Sequence, residues 1–357
     1  MVVQNPFSNR NMITNPNEFF GRKNELMTIF SRLENLQSCD VYGERKIGKS
    51  SLLYYIFMKA QDRLGADYVV AYIDMQAAEY HNVGDFLRNS LNELGANSKG
   101  IISSKSLNQN LIAFSESIKE MKKKKKPILL IDEFEVLTKK QEFNDDVFDA
   151  LRSLGNNGHI AYVIASLNSL KTLCEKGKFT SPFYNIFSEV KLGKFTPEET
   201  TEFLSTISES FGFNEKEIGL IYEIANHHPI HLQIACDHVL KNKGKNLDEP
   251  KLREVIENEI KTYDDEAVRK KRHPEKLNGV KHNEGTFIDI QNKDEQLQTK
   301  KSFIDVITIA ASIASLFYGI AVEYFEIYPT GWNKHLITLV GVAVIFFIAL
   351  FLANKKV

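Results

Sequence analysis

One octapeptide restricts the fold of this chain more than any other feature. Gly43-Glu44-Arg45-Lys46-Ile47-Gly48-Lys49-Ser50 fits G-x-x-x-x-G-K-[ST] without a mismatch. It stands between SCDVYG, which reads as a short strand ending in glycine, and SSLLYYIFMKAQDRL, which reads as a helix. A strand–loop–helix setting turns the pattern into a phosphate-binding loop. Gly43 and Gly48 permit backbone angles and approaches that a Cβ would block. The amides from Glu44 to Ile47, with the helix start at Ser50 and Ser51, then face phosphate oxygens. Lys49 would balance the charge of the β- and γ-phosphates, and Ser50 would hold Mg²⁺. The side chains of Arg45 and Lys46 lie in the variable part of the motif and need no ligand contact.

The run KPILLIDEFEVL supplies the complement. Ile128–Ile131 is apolar without alternation, the pattern of a parallel strand covered on both faces. Asp132 follows at its carboxyl end, placed to hold Mg²⁺ directly or through water from a strand expected to adjoin the loop. Glu133 would polarise the attacking water as general base, which argues for hydrolysis beyond binding. Other positions carry less. Ser166 and Asn168 follow the strand Ala161–Ala165, where a polar residue senses a γ-phosphate or merely caps a helix. Arg152 fits an exposed helix arginine better than a phosphate ligand. His227, His228, His231, Cys236 and His238 lack zinc-ligand spacing and read as packed histidines. Lys122–Lys126 reads as a solvated helix end.

Strands alternating with helices up to about Lys194 predict a doubly wound parallel α/β sheet. Leu26, Ile29, Phe30 and Leu33 fall on one helical face before the first strand. Beyond Lys194 only helices follow, opening with a capping box at Thr196 and Glu199 and continuing near Glu215–Ala225, Ile230–Lys241 and Glu249–Ile260. The expected division is an α/β domain at 1–194, a helical lid at 195–262, a charged linker at 263–301 and a membrane hairpin at 302–357.

The hairpin rests on composition. Val306–Val322 and Leu336–Ala353 contain no charged residue, and each approaches the roughly 20 residues that cross a hydrocarbon core. Residues 303–325 and 335–353 are therefore expected to span a membrane, with Tyr324, Tyr328 and Trp332 between them as interfacial aromatics. Lys300 and Lys301 before the first span, and Lys355 and Lys356 after the second, place both termini and the α/β domain on the cytoplasmic side of a cell membrane. Three separated cysteines and an N-terminus without an apolar signal core agree with a reducing cytosol. A net charge of -1 gives no global attraction to nucleic acid.

With these residues in view, the chain resembles the AAA-like and STAND-type P-loop ATPases of prokaryotes over about Asn17 to Lys241. Phe19-Phe20-Gly21-Arg22-Lys23-Asn24-Glu25 is similar to the group's hydrophobic-Gly-Arg-Glu-x-Glu motif near the adenine, with Lys23 replacing the usual acid. Gly43–Ser51 resembles its GxRRxGKTSL loop, and Leu130–Glu133 its hhDE strand end. His228-Pro229 with Leu232-Gln233 resembles GHPxxLQ of the lid, where Pro229 approaches the base and His227 stands in the glycine position. The resemblance implies a P-loop NTPase fold, ATP and Mg²⁺ as ligands, and a slow hydrolase acting as a nucleotide-controlled switch. Gly21, Arg22 and Pro229 join the loop residues as cofactor-binding candidates on this ground. The attached module here is the membrane hairpin, and the trigger is an unknown protein or ligand. Ala311, Ser315 and Gly319 form a small-xxx-small row that permits close helix contact, within the hairpin or in a homo-oligomer. The alternative is a membrane-tethered nucleic-acid-handling ATPase of initiator-like type, relying on Lys122–Lys126 and the basic Lys270–Lys276; it is the less favoured.

Overall fold

The computed structural model describes residues 5–177, 180–244 and 248–272. The two apolar stretches expected to span a membrane, and most of the expected linker, lie outside the described residues. Among the described residues no helix is long and apolar enough to cross a membrane.

Five strands, β1 (Ser38–Gly43), β2 (Tyr68–Asp74), β3 (Lys126–Asp132), β4 (Ala161–Ser166) and β5 (Phe187–Leu192), form one sheet in the order β2-β3-β4-β1-β5. Every pairing is parallel. Six helices flank it: α1 (Lys23–Glu34), α2 (Lys49–Leu64), α3 (Val83–Glu93), α4 (Leu107–Lys122), α5 (Asp145–Asn156) and α6 (Leu170–Gly177). Alternate residues of the buried strands serve opposite layers. Ile128 and Leu130 pack with Leu52, Leu53 and Ile56 of α2. Leu129 and Ile131 pack with Phe86 and Leu87 of α3, Phe114 of α4 and Leu151 of α5. Both faces are dry, so β3 shows no polar alternation in sequence.

The strand of Asp132 lies in the same sheet as β1, which leads into the phosphate loop, with β4 between them. Asp132 still reaches the loop because the first turn of α2, with Ser50, starts above the carboxyl ends of the strands. Two elements went unread from sequence, α6 and β5. FSEVKL exposes Glu189 and buries Val190 and Leu192, the weak alternation of a sheet edge. Its strand identity comes from register against β1, from Ser38 opposite Phe187 to Gly43 opposite Leu192.

The helical layer comprises α7 (Pro197–Phe211), α8 (Glu215–Ala225), α9 (Pro229–Asn242) and α10 (Glu249–Arg272). The capping box at the start of α7 is present: the Thr196 hydroxyl accepts from the Glu199 amide, and the Glu199 carboxylate from the Thr196 amide. Its core gathers Leu204, Ile221, Ile234 and Cys236 around α9, with Leu252 and Ile256 of α10. Ile260 and Tyr263 extend the same stripe at helical spacing. That docking carries α10 past residue 262, where a linker was expected to begin, and the helix continues to Arg272 through Glu, Lys and Arg, all good helix formers.

Asp40 in the middle of β1 is 1% exposed. One carboxylate oxygen accepts the Leu170 amide at 2.6 Å, pinning the start of α6 to the sheet. The other is buried and meets no hydrogen-bond partner among the described residues. Burial, with Glu189 adding, pushes its carboxyl up to about 7 from 3.8, against the pull of the Leu170 amide. The native state therefore binds the Asp40 proton more tightly than the unfolded chain does. Its contribution is complete below about pH 4 and is lost as pH rises toward 7, a change on the order of 3 to 4 kcal/mol. Asp40→Asn keeps an acceptor for Leu170 and removes the titration. Its thermal midpoint, measured against wild type from pH 5 to 8, is expected to gain steadily on wild type as pH rises. A constant difference across that range would show that Asp40 does not titrate there.

Candidate functional site

The loop closes as its residue types require. A Cβ on Gly43 would lie 2.5 Å from the Leu192 carbonyl oxygen, so only glycine lets β1 leave the sheet against β5 at this point. Gly48 caps α2 at φ +101°, and a Cβ there would project into open space on the wall of a cleft. Lys49 and Ser50 open α2 directly after it. Lys49 is 9% exposed, and its ammonium donates to the carbonyls of Gly43 at 2.9 Å and Glu44 at 2.8 Å, drawing the loop into a ring around itself. Burial lowers its proton affinity, and the charges of Glu135, Glu133 and Asp132 restore part of it.

The acids stand beyond this ring. Asp132 is 3% exposed at the end of β3. Its carboxylate accepts the Glu133 amide at 2.9 Å and the Tyr72 hydroxyl at 2.9 Å. Burial raises its pKa, and the nearby Ser50 hydroxyl and the bond from Tyr72 offset only part of that rise. The nearness of Ser50 brings together the two residues expected to share Mg²⁺. Glu133 turns left-handed at φ 52° and lines the cleft. Burial, then the charges of Glu135 and Asp132, holds its carboxyl above the ordinary range. Glu135, absent from the candidates drawn from sequence, is also buried, with one carboxylate oxygen unpartnered among the described residues. The signal was available as a third acid in DEFE, but spacing alone does not show which side of the turn it faces.

The cleft holds about 740 Å³ and is lined by loop residues Arg45 to Ser51, by Glu133, by Pro229 of α9 and by an N-terminal segment. This segment was silent in sequence. Phe7 inserts into the helical layer, 5.2 Å from Phe211 and 6.5 Å from Phe203. The Arg10 guanidinium meets Asp237 at 3.0 Å and Glu259 at 3.2 Å, while its carbonyl accepts from Lys46 at 3.2 Å. The Ile13 amide donates to the Ser51 hydroxyl at 3.0 Å. Ser51 thus fastens the segment to the start of α2.

Arg22 is 3% exposed and joins the two layers. Its guanidinium donates to the Ile47 carbonyl at 2.9 Å and lies 4.7 Å from the Phe195 ring centre. Its own amide donates to Glu199 at 2.5 Å, so the capping glutamate of α7 is used twice. Gly21 packs against the same Phe195 ring. Ser166 is not brought to the cleft: its hydroxyl donates to the Asn168 carbonyl at 2.6 Å, and Leu167 lines the cleft instead. The histidines sit in the helical layer, where His231 faces Asp264, His238 faces Glu259 and His227 faces Thr200.

The residues present fit a nucleotide and a divalent cation. An open glycine-flanked cradle adjoins a buried ammonium, and a hydroxyl and a carboxylate converge at the helix start. The family model of nSTAND2, novel STAND NTPase 2, matches residues 28–270, which carry the loop, both acids and most of the helical layer. The chain belongs to the nSTAND2 family. This nSTAND2 protein has the fold of a Walker-type ATPase from Pyrococcus abyssi, at TM-score 0.56 and 18% identity, covering 76% of this chain and 81% of that one. The ORC2 protein of Aeropyrum pernix, in its ADPNP–ADP complexes, is similar at TM-score 0.52 and 14% identity over 70% of each chain. No curated protein matches in sequence. The nSTAND2 chain is a STAND NTPase by family and has a P-loop NTPase fold, with the parallel sheet and phosphate loop expected from sequence.

Proposed function

We propose that this protein binds ATP with Mg²⁺, hydrolyses it slowly, and uses the difference between nucleotide states to reposition its helical layer. The observation that carries the reading is the convergence of the Lys49 ammonium, the Ser50 hydroxyl and the Asp132–Glu133 pair at one end of α2, on a cleft walled opposite by α9. The loop amides and Lys49 bind and orient the triphosphate. Ser50 and Asp132 would hold Mg²⁺, which when bound neutralises phosphate charge. Glu133, kept basic by burial beside other acids, takes the proton of the attacking water. Arg22 supports the switch, since one residue touches the phosphate loop through Ile47 and the helical layer through Glu199 and Phe195. A change in loop geometry on loss of the γ-phosphate reaches α7 by that path.

The proposal extends to the membrane. Residues 303–325 and 335–353 would anchor the protein in a cell membrane, both termini and the ATPase domain facing the cytoplasm, and the hairpin would read the nucleotide state through homo-oligomer assembly. The trigger would be a protein or small ligand. A nucleic-acid role draws less support, since three of the five lysines in Lys122–Lys126 already hold partners within the fold. Lys123 pairs with Glu120, Lys125 donates to the Ala66 carbonyl and Lys126 to the Tyr68 hydroxyl.

The test uses full-length protein isolated from membranes. Hydrogen exchange over residues 195–244 and the particle mass in detergent are measured with ATP, with ADP and without nucleotide. Protection of α7 and α9 is expected to differ between ATP and ADP by several-fold, with a larger mass in one state. Identical exchange in both states would remove the switch, and a monomer in all three would remove the assembly step.

A further inference from the structure

The metal-side acid is held by a residue that no motif contains. Tyr72 lies on β2, and its hydroxyl donates to Asp132 at 2.9 Å across the sheet edge from β3. The ring is not free to turn. Tyr54 of α2 packs on it edge-on, at 5.7 Å and 80°, and Phe57 of α2 lies 6.3 Å away. The sulfur of Met12, in the N-terminal segment, closes the hydroxyl side at 3.6 Å. Asp132 is thereby fixed from two directions, one oxygen by the Glu133 amide and the other by Tyr72. Each carboxylate oxygen offers two lone-pair directions, so one on each is left for Ser50 and a cation. A buried carboxylate without these bonds could rotate about its Cβ–Cγ bond and present a different edge to the start of α2.

We infer that Tyr72 is a positioning residue for the divalent cation: it locks the Asp132 carboxylate in the orientation that faces Ser50, and ties that orientation to α2 through Tyr54 and Phe57. The inference rests on the proposed ATP–Mg²⁺ function and deepens it. Partners that orient a metal-holding side chain change metal affinity by roughly 10- to 100-fold when removed, without touching the metal themselves. They leave contacts to the rest of the ligand in place.

Tyr72→Phe keeps the ring and its packing and deletes only the hydroxyl. Full-length wild type and variant are titrated with a fluorescent ATP analogue in EDTA and again at graded Mg²⁺, and Mn²⁺ affinity of the nucleotide complex is read by electron paramagnetic resonance. The metal-free nucleotide Kd is expected to stay within about twofold, while the Mg²⁺ and Mn²⁺ affinities weaken about tenfold. A double-mutant cycle with Asp132→Asn is expected to show the two losses non-additive, the Tyr72 effect vanishing once the carboxylate is gone. Unchanged metal affinity in Tyr72→Phe overturns the inference. So does an equal loss in EDTA, or full additivity in the cycle, since either would mark a general packing role. If wild type bound no nucleotide with or without Mg²⁺, the proposed function would fall first and this inference with it.

Discussion

Lys49→Ala is expected to abolish tight ATP binding in a protein that remains folded. The ammonium is nearly buried and bonded to two loop carbonyls, at Gly43 and Glu44. It is also the cation facing Glu135, Glu133 and Asp132. A hydrogen bond to a charged group contributes about 1.5–3 kcal/mol, and each 1.4 kcal/mol is tenfold in affinity. Two phosphate oxygens losing Lys49 therefore weaken binding by about 100-fold or more. Alanine also leaves three acids around the phosphate site with less opposing charge, which raises the loss further. Isothermal calorimetry reads the effect, with circular dichroism to establish the fold. Equal affinity in wild type and variant would remove the phosphate-loop reading itself.

Glu133→Gln is expected to separate binding from chemistry. Glutamine is nearly isosteric and can occupy the same left-handed turn at the end of β3, where Asp132 holds the residue's amide. It cannot accept a proton. General-base catalysis contributes about 10²–10⁴-fold, so single-turnover hydrolysis should fall by about 100-fold or more with the ATP Kd within a few-fold of wild type. A fall of less than about tenfold would move the base elsewhere, and Glu135 stands nearest in charge to Lys49 among the acids there. The pair of variants divides the site cleanly. On the proposed function Lys49 would act on binding, and Glu133 on the step that follows.

The parts of this site that could be read along the chain are those whose chemistry is local. Gly43, Gly48, Lys49 and Ser50 lie within one turn of backbone, so their spacing already implies a cradle. Asp132 and Glu133 end an apolar run that only a doubly covered strand explains. Thr196 and Glu199 cap their own helix. Each of these depends on residues a few positions apart, where steric limits and hydrogen-bond reach act without knowledge of the fold.

The rest depended on neighbours that chain order does not specify. FSEVKL became a strand only because β1 offered it an edge, and β4 rather than β3 came to lie beside the phosphate-loop strand. Tyr72 reads as an ordinary strand aromatic until β2 pairs with β3 and places its hydroxyl on Asp132. Arg10 and Phe7 carry no motif, yet fold across the cleft to meet Asp237 and Phe211, more than 200 positions away along the chain. Ser166, in the right place by order, spends its hydroxyl on Asn168. Local sterics and burial patterns are written in short stretches of residues. Register, crossover order and long-range hydrogen bonds arise only when distant segments compete for the same surface, and the packed molecule alone resolves that competition.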